Sequence, residues 1–356
     1  MTRVRDNFEA VRLLAALTVL YGHAYALTGT VSPAVFGSSA QALAVKVFFV
    51  VSGFLVSESW RRDPAILRYL SRRSLRIFPG LVTVILISIL FVGPLLTDLS
   101  IGDYFKSPWT WRYLSNIGLH PSYMLPGVFE NNVYPVAVNG SLWSLPVEFA
   151  MYLLLPIVAL SGHRSSMRIV LGCVALCALS LYVVRIKPEP ETVVFYGTNV
   201  ISALDVAPYF FLGAAWRISR PSRLLNPQVA VFVLLLAALV PVNRIAQEIT
   251  LYIILPYSVL SFATARPALF GAAGRFGDFS YGIYVYGFLI EQAISHYLKT
   301  DGRPLLNFGL SLFPTLVLAA ASWNFVEKPF LKLKPHSGRS TNATGNRKQS
   351  AIAVTD

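Results

Sequence analysis

The residues of this chain that could do chemistry are ionisable groups set inside apolar runs. Arg12 and His23 stand eleven residues apart in the first such run. At 100° per residue they fall within about 20° of one helix face, roughly 16 Å apart along the axis. An imidazole exchanges its proton near neutral pH and suits general-base work. A guanidinium stays charged and suits binding an anion. Neither is cheap in hydrocarbon, where a charged group at a helix centre costs about 2.5–3.5 kcal/mol. The plainer alternatives are that Arg12 snorkels to the headgroups and that His23 hydrogen-bonds to a neighbouring helix.

Three further clusters stand out. Between Pro64 and Pro79 a helix would carry Arg68, Arg72 and Arg76 on one stripe with Arg73 beside it. Such a stripe either grips phosphates in pairs of hydrogen bonds or only sets topology and touches anionic lipid. Glu148 enters an apolar run five residues after Trp143. Trp143 reads as an interface anchor, and Glu148 as the partner of a membrane-embedded cation or as a hydrogen-bonded acid. The stretch 279–292 brings Tyr281, Tyr284 and Glu291, with the tyrosines placed where belt residues occur. Asp205 is a buried acid without an assigned role, while Glu58 and Lys46 lie nearer helix ends, where they can reach water. Walker-type, HExxH and GxSxG motifs are missing, so no metal site is expected.

The elements that hold these groups follow from composition. Of 356 residues, 55% are hydrophobic and 13% charged, with a mean hydropathy of +0.58. A soluble domain carries about 25% charged residues, so most of this surface faces something other than water. Helices are the economical way through lipid. Stretches of about 20 apolar residues fall at 8–27, 41–60, 80–97, 143–161, 169–185, 199–216, 227–242, 248–265, 279–298 and 305–326. The expected fold is therefore an all-α membrane bundle of about ten transmembrane helices. With a cytoplasmic N-terminus, 21 of the 30 Lys and Arg residues lie inside and 7 outside, which places both termini in the cytoplasm. That asymmetry explains the net charge of +13 without nucleic acid. Residues 1–330 read as the membrane domain and 331–356 as a disordered cytoplasmic tail. Cys173 and Cys177 read as packing residues, no cleavable signal peptide is evident, and no tandem repeat is seen.

In order along the chain, Arg12 with His23, FFVVSGFLVS (48–57), Arg73 with Arg76, SLWSLPVE (141–148), SYGIY (280–284) and FVEKP (325–329) resemble the acyltransferase family 3 of bacterial membrane O-acyltransferases. In many members SYGIY runs on to a histidine, at the position that Gly287 holds here. A role of that histidine is then absent, or shifted to Glu291.

The resemblance implies an acyl-CoA donor, usually acetyl-CoA, and a hydroxyl of an exported carbohydrate or lipid-linked glycan as acceptor, at the bacterial inner membrane. It implies no permanently bound cofactor. The charged nucleotide of the donor would sit on Arg12, Arg73 and Arg76 while its uncharged arm runs up between helices. His23 would act as general base, oriented by Glu148, with Trp143, Tyr281 and Tyr284 at the substrate. A rival from another class is a proton-coupled transporter or glycan flippase, with His23, Glu148, Asp205 and Glu291 as relay.

Overall fold

The structure is a computed structural model that describes residues 6–159, 165–186, 192–219, 224–275 and 277–335. Of the expected tail, 331–335 are described and the remainder lies outside the described residues. The long helices are α1 (Phe8–Leu27), α2 (Ala40–Arg62), α3 (Ile66–Ile87), α4 (Ser144–Ala159), α5 (Ser165–Leu181) and α6 (Val200–Ser219), then α7 (Pro227–Ala237), α8 (Arg244–Ala263), α9 (Ser280–Leu298) and α10 (Pro304–Ser322). Strand is confined, among the described residues, to two short hairpins, and the protein is an all-α, multi-pass membrane protein.

Among the described residues, seven helical stretches are long and apolar enough to cross a membrane: Phe8–Leu27, Ala40–Arg62, Ile66–Leu96, Gly140–Ala159, Met167–Ile186, Arg244–Ala263 and Pro304–Leu331. The other three expected crossings are helical but fall short on that measure. At 11 residues, α7 is about 16 Å long, roughly half the hydrocarbon core. Helix α6 carries Asp205, Pro208 and Arg217. In α9, Glu291 and Gln292 are buried within the protein, where a helix does not need lipid-like composition.

The expected break at Pro79 does not occur. Helix α3 passes through it, then continues by a π turn (Ser88–Val92) to Leu96. The N–H that proline lacks costs one helical bond, and side chains support the backbone around it. The Thr83 hydroxyl donates to the Pro79 carbonyl at 2.9 Å and the Tyr281 hydroxyl to that of Ile77 at 2.7 Å. Arg73 and Arg76 thus ride on the same rod that enters the bundle.

A duplication emerges that the sequence does not advertise. Hairpin β1 (Ala34–Val35) to β2 (Ser38–Ser39) leads into α2, and hairpin β3 (Val194–Phe195) to β4 (Thr198–Asn199) leads into α6. Both turns put two residues at positive φ, Phe36–Gly37 and Tyr196–Gly197, as tight hairpins of this hand require. Gly37 and Gly197 are separated by the same interval as Gly53 and Gly213. Those last two glycines are where α2 and α6 cross. A Cβ on Gly53 would lie 1.8 Å from the Phe210 carbonyl oxygen, and one on Gly213 2.1 Å from that of Val50. The contact is reciprocal, as an approximate two-fold axis between the helices demands, and it uses the small residues that let membrane helices approach closely.

Beside this crossing sits an ionic tetrad in which Lys46 and Glu248 are buried while Asp205, expected to be buried, and Arg185 are part-exposed. Lys46 lies 3.3 Å from Asp205 and 3.3 Å from Glu248, while Arg185 lies 2.8 Å and 2.7 Å from the same two acids. Two charges of each sign cancel. Lys46 does not reach water as expected: it is 0% exposed, because α6 and α8 close over it.

Candidate active site

The stretches that resemble the family meet around one cavity of about 330 Å³. Arg12 of α1, Arg73 and Arg76 of α3, Glu148 of α4, and Tyr281 and Tyr284 of α9 all line it. Apolar side chains, Phe48, Phe49, Leu55 and Ile77 among them, complete its walls.

One end is cationic, and its cations differ in how they are neutralised. Asp278, just before α9, takes Arg12 at 2.8 Å and Arg76 at 2.5 Å, and Arg76 also reaches Glu327 at 3.5 Å. Burial works to raise the Asp278 carboxyl, but the two guanidinium groups beside it hold it well below the usual carboxylate range. Asp63, between α2 and α3, binds Arg68 at 2.6 Å and Arg72 at 2.9 Å. The hydrogen bond from Arg68 outweighs burial and, with Arg72, holds Asp63 low as well. Arg73 forms no ion pair among the described residues and only lies over the Tyr152 ring, 6.0 Å from its centre. The arginine stripe is therefore mostly spent on internal acids, and Arg73 is its free member.

The deep end is polar. Glu148 accepts hydrogen bonds from the Ser52 hydroxyl, at 2.6 Å, and from the Tyr152 hydroxyl. The Ser144 and Tyr284 hydroxyls share a hydrogen bond, and Tyr284 also donates to the Ser141 carbonyl at 2.9 Å. Asn139 ties the same segment to α9 by donating to the Val285 carbonyl at 2.7 Å. SLWSLPVE and SYGIY are thus two halves of one hydrogen-bonded wall.

His23 and Trp143 are not among the residues lining the cavity. His23 is on the α1 face that meets α9, as is Arg12, and stands edge-on to Phe288 at 5.1 Å. Phe288 follows the cavity-lining Tyr284 by one turn, about 6 Å, and the two form a Tyr284–Phe288 layer on α9. Glu148 bonds Ser52 and Tyr152, not the imidazole it was expected to orient. Trp143 is half-buried, ends the turn Gly140–Trp143 and packs against the core.

Sequence reasoning missed Asp278, Ser52 and Lys334, and gave Glu327 no role. Asp278 directly precedes SYGIY and Glu327 is the acid of FVEKP, so adjacency to a motif was their one signal. Their arginine partners lie 202 and 251 residues away. The whole arrangement suits a ligand with an anionic head and a long uncharged arm.

Comparison with known proteins finds relatives over most of the chain. The chain is 31% identical to an O-acetyl transferase of Shigella phage Sf6, covering 91% of this chain and 95% of that protein. It is 29% identical to Nodulation protein 10 of Rhizobium leguminosarum bv. viciae, over 93% and 94%. It is 24% identical to the peptidoglycan O-acetyltransferase OatA of Listeria monocytogenes, over 82% of this chain but only 51% of that protein. No solved structure matches. The model of the family's acyltransferase domain matches residues 5–324, nearly everything that builds the cavity. By that match, and by motifs that converge in space as well as in order, the chain belongs to the acyltransferase family 3 and is a membrane acyltransferase with O-acetyltransferases among its relatives.

Proposed function

We propose that the chain transfers an acyl group, acetyl in the first instance, from acyl-CoA to a hydroxyl of a surface or exported carbohydrate. An exopolysaccharide, an O-antigen or a lipid-linked glycan would serve as acceptor. The observation that carries the reading is the cavity, whose lining brings Arg12, Arg73, Arg76 and Lys334 together with apolar side chains and with Glu148 and its hydroxyl partners. Acyl-CoA offers the matching parts: phosphates, an uncharged arm and a thioester. With both termini cytoplasmic, as the charge bias indicates, the cationic end opens on the cytoplasm of a bacterial inner membrane.

In this mechanism Arg73, backed by Arg12 and Arg76, holds the donor's phosphates, and the pantetheine arm runs past Ile77 and Phe48 towards Glu148. His23 takes the proton of the acceptor hydroxyl as its oxygen attacks the thioester carbonyl. The new C–O bond forms, the C–S bond breaks, and the imidazolium returns its proton to the departing thiolate. Positioned general-base catalysis contributes about 10²–10⁴-fold. The thioester has to pass the Tyr284–Phe288 layer to meet His23. A second reading makes Glu148 the base, favoured by its place on the cavity wall.

The reading is tested with purified protein, radiolabelled acetyl-CoA and the glycan fraction of the host cell. Label is expected in alkali-labile ester on glycan. Intact acetyl-CoA after incubation with every glycan fraction counts against the reading and returns weight to the transporter alternative.

A further inference from the structure

The last described residues turn back on the cationic end of the cavity. After α10 and the π turn Trp323–Glu327 comes one more turn, Lys328–Leu331. Tight backbone bonds follow, Lys332 to Pro329 at 3.1 Å and Leu333 to Phe330 at 3.0 Å. They deliver Leu331 and Lys334 to the cavity lining beside Arg12, Arg73 and Arg76. Lys334 lies beyond residue 324, where the family match ends.

We propose that Lys334 is a phosphate ligand of the donor, a cation that this chain's own C-terminal segment adds to the mouth of the cavity. The inference rests on the acyl-CoA reading given above.

The argument is one of counter-charge. Arg12 and Arg76 share Asp278, and Arg68 and Arg72 share Asp63. Lys334, like Arg73, has no ion pair among the described residues. A phosphate arriving at the mouth therefore meets two cations that no acid pairs among the described residues. The groups acting on Lys334 are Arg12 from α1 and Arg72, Arg73 and Arg76 from α3, and the acids Glu9 of α1 and Asp278, before α9, line the same cavity. Burial, then the four guanidinium groups, lower the Lys334 amine from its ordinary value to about 8. An ammonium in that field is disfavoured until an anion joins it, so binding phosphate and holding the proton favour each other.

The sign follows from linkage. The amine of the free protein is mostly charged at pH 7 and mostly neutral at pH 9, and bound phosphate raises its pKa. Affinity is therefore highest below about 8 and falls as pH rises through it. The second phosphate ionisation, near 6, is about nine-tenths complete at pH 7, and its completion adds negative charge as pH rises, which opposes the decline instead of imitating it.

The probe is coenzyme A, titrated calorimetrically into the purified full chain in uncharged detergent at pH 7 and pH 9. Lys334→Ala is expected to weaken binding about tenfold at pH 7, the loss of one charge-assisted hydrogen bond. Lys334→Arg is expected to keep the affinity and to remove its decline towards pH 9, because a guanidinium stays charged. A merely structural lysine would give neither the rescue nor the altered pH slope. Thermal unfolding of each variant checks that the chain is folded. If Arg73→Ala loses affinity while Lys334→Ala binds as wild type, this inference falls and the donor reading stands. If neither variant changes affinity, both fall. A parallel arm with phosphatidylglycerol nanodiscs separates the other source of phosphate: a Lys334→Ala effect on lipid binding alone also overturns the assignment.

Discussion

Arg68, Arg72, Arg73 and Arg76 look interchangeable on one basic helix, yet their counter-ions sort them. Asp63 holds the first two, Asp278 and Glu327 hold the last, and Arg73 is left facing the cavity. Arg73→Ala is therefore expected to weaken coenzyme A binding at least tenfold, while Arg68→Ala changes it less than twofold. Arg73→Lys should recover only part, since a point charge cannot form paired hydrogen bonds to phosphate. Calorimetry on the three proteins decides, and equal losses from Arg68→Ala and Arg73→Ala would reduce the stripe to a general field. The sequence made the cations legible, because a guanidinium beside hydrocarbon announces itself. It hid their neutralisation, since Asp278 and Glu327 reach Arg76 from the far end of the chain. Lys46 was misread for the same reason. Its place near a helix end suggested water, and only the packing of α6 and α8 reveals two acids waiting for it.

Among the elements, the α2–α6 crossing carries the clearest expectation. Gly53→Ala puts a methyl group onto the Phe210 carbonyl oxygen, with backbone on both sides and nothing flexible to give way. Overpacking of this kind costs typically 1–3 kcal/mol, so the variant should unfold at a lower temperature than wild type in the same detergent. Gly172→Ala, in α5, is the control: nothing lies within 4 Å of the added Cβ, and in a helix the change is expected to be neutral or stabilising by about 0.5–1 kcal/mol. Equal unfolding temperatures for the two variants would mean that the crossing is looser than it stands. Helices were legible wherever apolar runs were long, and α1 falls on the expected 8–27. The duplicated hairpin-to-helix unit was not, because little more than its turn and its crossing glycine recurs while the facing side chains have diverged. Pro79 misled in the other direction. A proline usually ends a helix in water, but here the next turns are packed and Tyr281 supports the carbonyl of Ile77.

For the whole molecule, entry of the donor from the cytoplasm rests on topology. Reporter fusions at Leu119 and at the C-terminus are expected to read outside and inside respectively. The reverse at either point would move the cationic mouth away from the cytoplasm and remove the donor from its site. The family's stretches were readable as an ordered series. Their meeting around a single cavity was not, since Ser52 to Glu148 and Arg12 to Asp278 are long-range contacts that only the fold creates.

The central claim is that a membrane-embedded imidazole takes the acceptor's proton, and one measurement addresses it directly: acetyl transfer by purified His23→Gln at saturating acetyl-CoA. An amide keeps a hydrogen bond and the approximate shape but cannot accept the proton. The account predicts that this variant is folded, binds coenzyme A with wild-type affinity, and transfers acetyl at least 10²-fold more slowly. Transfer by His23→Gln within a few-fold of wild type, with Glu148→Gln inactive, would contradict the claim and hand the proton to the carboxylate on the cavity wall.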